Sequence, residues 1–175
     1  MSLIYIMSSK KIVVVTGKTN VDNLVVEKKK RVRVSAVDEE PSTEQTLLML
    51  SLVREGSDGE FCEVGRRALE RKVNGYKQQD VKKDVYDPDT IISLEQAIDK
   101  LIACSLACEY CGKQVKVLYR LVRDPLQWTL DRVDNDGSHS GSNTVISCLS
   151  CNLKRRLTDK DKFEFTKKMT IVKVD

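Results

Sequence analysis

Histidine occurs once in this chain of 175 residues, at His139. Proton transfer near neutral pH therefore has one ordinary imidazole available, since histidine alone titrates at about 6.5 when unperturbed. Long apolar runs are also missing. No stretch approaches the roughly 20 residues that a membrane span needs, and the opening Met1–Ile6 is too short for a signal-peptide core. A soluble intracellular protein is the expectation. Charge of one sign does not dominate either: 30 Lys and Arg stand against 26 Asp and Glu, a net charge of +4. The chain is thus no polycation, and its cations matter by where they cluster. Internal repeats and low-complexity segments are absent. Gly17-Lys18-Thr19 suggests a phosphate loop, but that motif needs a glycine five residues earlier, where Ile12 stands.

Six cysteines are present, four of them in two Cys-x-x-Cys pairs, Cys108–Cys111 and Cys148–Cys151. In a reducing compartment such spacing reads as metal ligation rather than as a disulfide framework. Four thiolates close the tetrahedral shell of a structural Zn²⁺ and leave no position for water. Gly112 lets the backbone fold under the metal. The second pair opens a helix, whose N–H groups favour thiolate charge. Cys62 and Cys104 have no short-spaced partner and read as small buried hydrophobes.

The expected architecture is α+β, in three segments. Residues 1–40 hold a short strand near Lys11–Gly17 and a basic arm, Lys28–Arg33, running into alternating valines. Residues 41–88 are helical. "TEQTLLMLSLVREG" is capped by Ser42 and stopped by Gly56, and "FCEVGRRALERKVNGY" places Phe61, Val64, Ala68 and Val73 near one face. A boundary is expected around Pro88. Residues 89–175 open with the capping box Ser93–Gln96 and a helix to about Leu106. A strand "QVKVLYRLV" follows, then a strand Trp128–Val133, a polar loop and a strand Thr144–Ser147. Two helices, "CLSCNLKRRL" and "DKDKFEFTKKM", end the chain. The C-terminal part has few aromatics and a small core, so a bound metal would add much of its stability.

On the strand Trp128–Val133, Asp131 shares a face with Thr129. A Mg²⁺ ion takes one or two protein oxygens and otherwise keeps water and substrate phosphates. Asp131 offers a carboxylate, and Asn152, next to the last cysteine, an amide oxygen. The stretch Cys108–Arg156 resembles the zinc-bearing HNH (ββα-metal) endonucleases, in the Asp-Arg variant found in phages and large DNA viruses. Asp131, Arg132, Asp134, Asn135, Gly137, His139, Asn143, Cys148, Cys151 and Asn152 carry that resemblance, over about 50 residues. It implies a treble-clef-like ββα-metal fold with Asp131 and Asn152 on a catalytic Mg²⁺ or Mn²⁺, and with Asn143 bracing the loop.

The departure from the family is Arg132, which stands where a histidine usually deprotonates water. Guanidinium cannot accept a proton. It could clamp the scissile phosphate, leaving His139 or a metal-bound hydroxide as the base. Lys154, Arg155 and Arg156 are expected on the DNA backbone. Two functions follow from different classes. One is a metal-dependent endonuclease acting on DNA. The other is a zinc-finger DNA- or RNA-binding protein whose nuclease residues have drifted, such as a viral transcription or packaging factor. Asp131 and Asn152 oxygens converging on one point would favour the first, and diverging side chains the second.

Overall fold

The computed structural model describes residues 5–8, 11–14, 16–19 and 39–169. The chain divides into two units, residues 1–30 and 31–175. In the first, β1 (Tyr5–Ser8) and β2 (Lys11–Val14) form an antiparallel hairpin with Tyr5 opposite Val14. The basic arm Lys28–Arg33 lies outside the described residues.

The second unit begins with α1 (Thr43–Arg54). The Ser42 hydroxyl accepts from the Gln45 N–H, and the Gln45 side chain accepts from the Ser42 N–H. α2 (Glu60–Lys82) is longer than the sequence pattern suggests. Its buried residues are Cys62, Gly65, Leu69, Tyr76 and Asp80, a stripe at helical spacing. Phe61, expected inward, is 41% exposed because that stripe runs one residue further round the helix. Gly65 sits where α1 crosses, so close that an added Cβ would lie 2.3 Å from Met49 Sδ.

α3 (Leu94–Ala103) carries the expected capping box at Ser93 and Gln96. It stops short of Leu106, because Ser105 and Leu106 turn to φ +49° and +59°. The residues on both sides of Pro88 belong to the second unit. Helices α1, α2 and α3 bury Met49, Leu50, Leu69, Ile98 and Leu101 in one shared cluster. Beyond the turn, the Ile92 N–H donates to the His139 carbonyl at 2.9 Å. Among the described residues no strand runs over 114–122, where one was expected: Val115 and Val117 are buried, and Gln114, Lys116 and Leu121 make isolated bridges, the first with Ala107 and the second with Gln127.

β3 (Trp128–Arg132) and β4 (Thr144–Cys148) pair antiparallel, with Trp128 opposite Cys148 and Arg132 opposite Thr144. α4 (Leu149–Arg155) follows β4 directly, and α5 (Lys160–Lys168) comes after a short turn. Every residue of β3 is buried. Trp128 and Leu130 enter the apolar core, while Thr129 and Asp131 lie under α4, which reaches them through Asn152 and Arg155. The second unit is thus a mixed α+β structure whose small sheet sits between the helices and a four-cysteine cluster. Among the described residues no helix is long and apolar enough to cross a membrane.

Candidate metal centre and nucleic-acid interface

Cys108 and Cys111 come from a tight turn closed by the Gly112 N–H on the Cys108 carbonyl, 2.9 Å. Gly112 has φ +66°, a conformation that suits a residue without Cβ. Cys148 ends β4, and Cys151 lies in the first turn of α4. The four sulfurs lie within 4.8 Å of one another, Cys111 and Cys148 at 4.0 Å. A tetrahedron with Zn–S bonds of about 2.3 Å has edges of about 3.8 Å, so the cluster is near the size zinc requires. The N–H groups of Cys148 and Cys151 point at Cys108 Sγ (3.2 Å) and Cys148 Sγ (3.4 Å) and favour their thiolate forms. The Cys148 thiol beside it holds the Cys108 thiol down to about 4, while Cys108 and burial push the Cys148 thiol up. Burial raises Cys151 to about 11. A divalent cation would remove that competition by taking all four as thiolates. The donor set fits structural zinc. It has no histidine or carboxylate and no open position for water.

The remaining candidate residues do not converge. α4 lies along β3 so that Asn152 faces Thr129, and Arg155, nearly one turn later, faces Asp131. The Asn152 amide donates to Thr129 Oγ1 at 3.2 Å and to the Leu130 carbonyl at 3.5 Å. Asp131 instead accepts from Tyr110 Oη (2.6 Å) and from Arg155 Nη1 (3.0 Å). Arg155 is fully buried and also donates to the Val133 carbonyl and Asn135 Oδ1, while its Nε has no partner. The expectation that Arg155 contacts nucleic acid is corrected by that burial: its charge is needed inside. Burial pushes the Asp131 carboxyl up, against the opposing pull of Tyr110 and Arg155. Each Asp131 oxygen is thus already bonded within the protein, one of them to a cation, and the Asn152 amide N–H is turned to Thr129 and Leu130.

Arg132 is 7% exposed and donates from Nη1 to the Gly137 carbonyl at 2.7 Å. It braces the loop, where a phosphate clamp was expected. Asn143 braces the same loop. Its amide donates to the Asp134 and Ser138 carbonyls, both 2.9 Å, and its Oδ1 accepts the Asp134 N–H at 2.8 Å. Gly137 makes room for it, since a Cβ there would lie 2.8 Å from Asn143 Nδ2.

His139 does not swing over Asp131. It is 4% exposed, with Nδ1 at 2.5 Å from Asp80 Oδ1 and its own N–H on Asp80 Oδ2 at 2.7 Å. The Tyr76 ring packs 4.8 Å from the imidazole. Burial lowers the His139 pKa, and Asp80 opposes that shift. Sequence reasoning missed Asp80, Tyr76 and Tyr110. A carboxylate on the otherwise apolar stripe of α2 was the available signal for Asp80. Nothing local in the sequence marks Tyr110 as the partner of Asp131.

Lys154 and Arg156 are exposed at the end of α4. A groove of about 440 Å³ is lined by residues of α2 (Arg71, Gly75 and Gln79), by Thr129 of β3 and by Asn152 of α4. No protein-family model matches the chain, and neither a curated protein nor a solved structure does.

Proposed function

We propose that this chain is a nucleic-acid-binding module on a zinc-stabilised scaffold of the HNH type, with its former metal carboxylate given over to structure. One observation carries the reading. The helix pinned at its start by two zinc-type cysteines turns Arg155 inward onto Asp131, while Lys154 and Arg156 stay in solvent. Those two exposed cations can meet a phosphate backbone, which would supply affinity with little sequence information. Binding of fluorescein-labelled single-stranded DNA, duplex DNA and RNA, followed by anisotropy across salt concentrations, tests it. We expect affinity that falls linearly on a log–log plot against salt and weakens in Lys154→Ala/Arg156→Ala. Absence of binding to all three at low salt would overturn it.

The endonuclease reading keeps one specific support, the Asp80 carboxylate on His139 Nδ1. A carboxylate in that position fixes the tautomer with Nε2 as acceptor, the arrangement of an oriented general base. Nicking of supercoiled plasmid by zinc-loaded protein with Mg²⁺ or Mn²⁺, lost in Asp131→Asn and in His139→Ala, would establish that reading instead.

A further inference from the structure

We infer that the four-cysteine centre is a lock on Asp131: metal held there keeps this carboxylate closed off, and metal loss opens it while the helical core stays folded. The inference rests on the zinc reading of the cysteines, not on the nucleic-acid reading, and it gives the centre a regulatory part beyond stability.

Asp131 is bonded by two side chains, and each rides on a different arm of the cysteine cluster. Tyr110 lies between Cys108 and Cys111, and its Oη donates to Asp131 Oδ2 at 2.6 Å. Arg155 follows Cys151 by four residues, about one helical turn, and its Nη1 donates to Asp131 Oδ1 at 3.0 Å. The cysteine turn and α4 thus reach one carboxylate from two sides. A metal that ties the two arms together fixes both donors at once.

The arms are not held equally by the rest of the protein. α4 is also tied to the segment before β3, through the Leu149 N–H on the Gln127 carbonyl and the Ser150 N–H on the Pro125 carbonyl, both 3.0 Å. Arg155 Nη2 adds a bond to the Val133 carbonyl at 2.9 Å. The Cys108–Cys111 turn meets β4 through the Glu109 N–H on the Ile146 carbonyl, 2.9 Å, and through Cys108 Sγ, which accepts the Cys148 N–H at 3.2 Å. Its other ties run to α5 rather than to the sheet: Lys160 pairs with Glu109 at 2.8 Å, and Phe163 sits edge-on to the Tyr110 ring at 5.0 Å. The turn is therefore the arm that metal loss releases, and Tyr110 is the donor that leaves with it.

Asp131 is 5% exposed and Tyr110 3%. A buried carboxylate oxygen that loses its donor takes one from water instead, so the departure of Tyr110 brings solvent to Asp131. Asp80 supplies an internal comparison. It is a fully buried carboxylate on α2, held through the backbone and ring of His139 rather than through either arm.

Carbodiimide coupling of glycine ethyl ester, read by peptide mass spectrometry, measures how open each carboxyl is. It is run on zinc-loaded full-length protein and on the same protein after chelation with EDTA, with zinc content read for every sample. We expect the labelling rate at Asp131 to rise about tenfold or more on chelation, as a local opening allows, while Asp80 keeps its protection. We expect Tyr110→Phe, which keeps the ring against Phe163, to speed labelling of Asp131 severalfold with zinc still bound. Labelling of Tyr110→Phe at the wild-type rate would overturn Tyr110 as the releasing donor. If Asp131 and Asp80 open together on chelation, the metal holds the whole fold and the lock is overturned. If zinc leaves and Asp131 stays closed, the lock is overturned and the zinc centre stands. A protein that takes up no zinc overturns both. No nucleic acid is in the sample, so each outcome is separate from the nucleic-acid reading.

Discussion

Asp131 and Arg155 show how one residue's partner decides its chemistry. A guanidinium with no exposed surface must be neutralised where it lies, and Asp131, 5% exposed, is what neutralises it. Removing either charge leaves the other buried and unpaired, which costs about 3–5 kcal/mol. We expect Arg155→Met to lose stability of that order in urea denaturation, and Asp131→Asn/Arg155→Met to regain most of it. A double variant no better than the single one would contradict a compensating pair. Gly112 is the other residue with a defined cost. At φ +66° it should lose about 1 kcal/mol on replacement by Ala, measurable as a lower urea midpoint of the zinc-loaded protein. The cysteine pairs were legible because their geometry is local: two ligands three residues apart on one turn. The Asp131–Arg155 pair was not, because which residue of α4 meets which residue of β3 depends on how the helix settles on the strand.

At the scale of elements, the loop between β3 and β4 is held on two sides. Arg132 and Asn143 brace it from the hairpin, and Asp80 reaches it from α2 through both the backbone and the ring of His139. This latch has a pH dependence whose sign follows from burial. Because burial lowers the His139 pKa, the unfolded chain takes up the proton first as pH falls. The stabilisation is present above about 6.5, the ordinary histidine value, and is lost as pH drops from there toward the folded value. Asp80, Arg132 and Lys83 are the charged neighbours, and Asp80 alone favours the protonated ring. We expect wild type to lose more stability between pH 7.5 and 5.5 than His139→Asn, both measured with zinc bound. Equal losses would contradict the latch. Helix existence and caps could be read from Ser42–Gln45 and Ser93–Gln96, since those signals lie within one turn. The reach of α2 to Lys82 could not, because five of the six residues beyond Tyr76 are polar and Asp80 among them is held by a contact 59 residues away.

For the whole second unit, the four-cysteine cluster and the apolar core divide the work. The helices and the sheet share one apolar core, and the sheet, the cysteine turn and α4 also meet around four sulfurs within 4.8 Å. We expect one zinc per chain by elemental analysis, and a marked fall in melting temperature on chelation. A metal-free protein with unchanged melting would contradict a structural centre. The α+β class and the cysteine cluster were visible in the sequence. The groove was not, since its walls come from α2 and from β3–α4, segments far apart in the chain, and only folding brings Arg71 opposite Asn152.

The central claim is that this scaffold holds nucleic acid without cutting it. The most direct test incubates labelled single-stranded and duplex DNA with zinc-loaded protein and Mn²⁺, then runs each sample on native and denaturing gels. We expect DNA that is shifted on the first and intact on the second. Cleaved strands that disappear in Asp131→Asn would contradict it, and would return Asp131 to a catalytic metal.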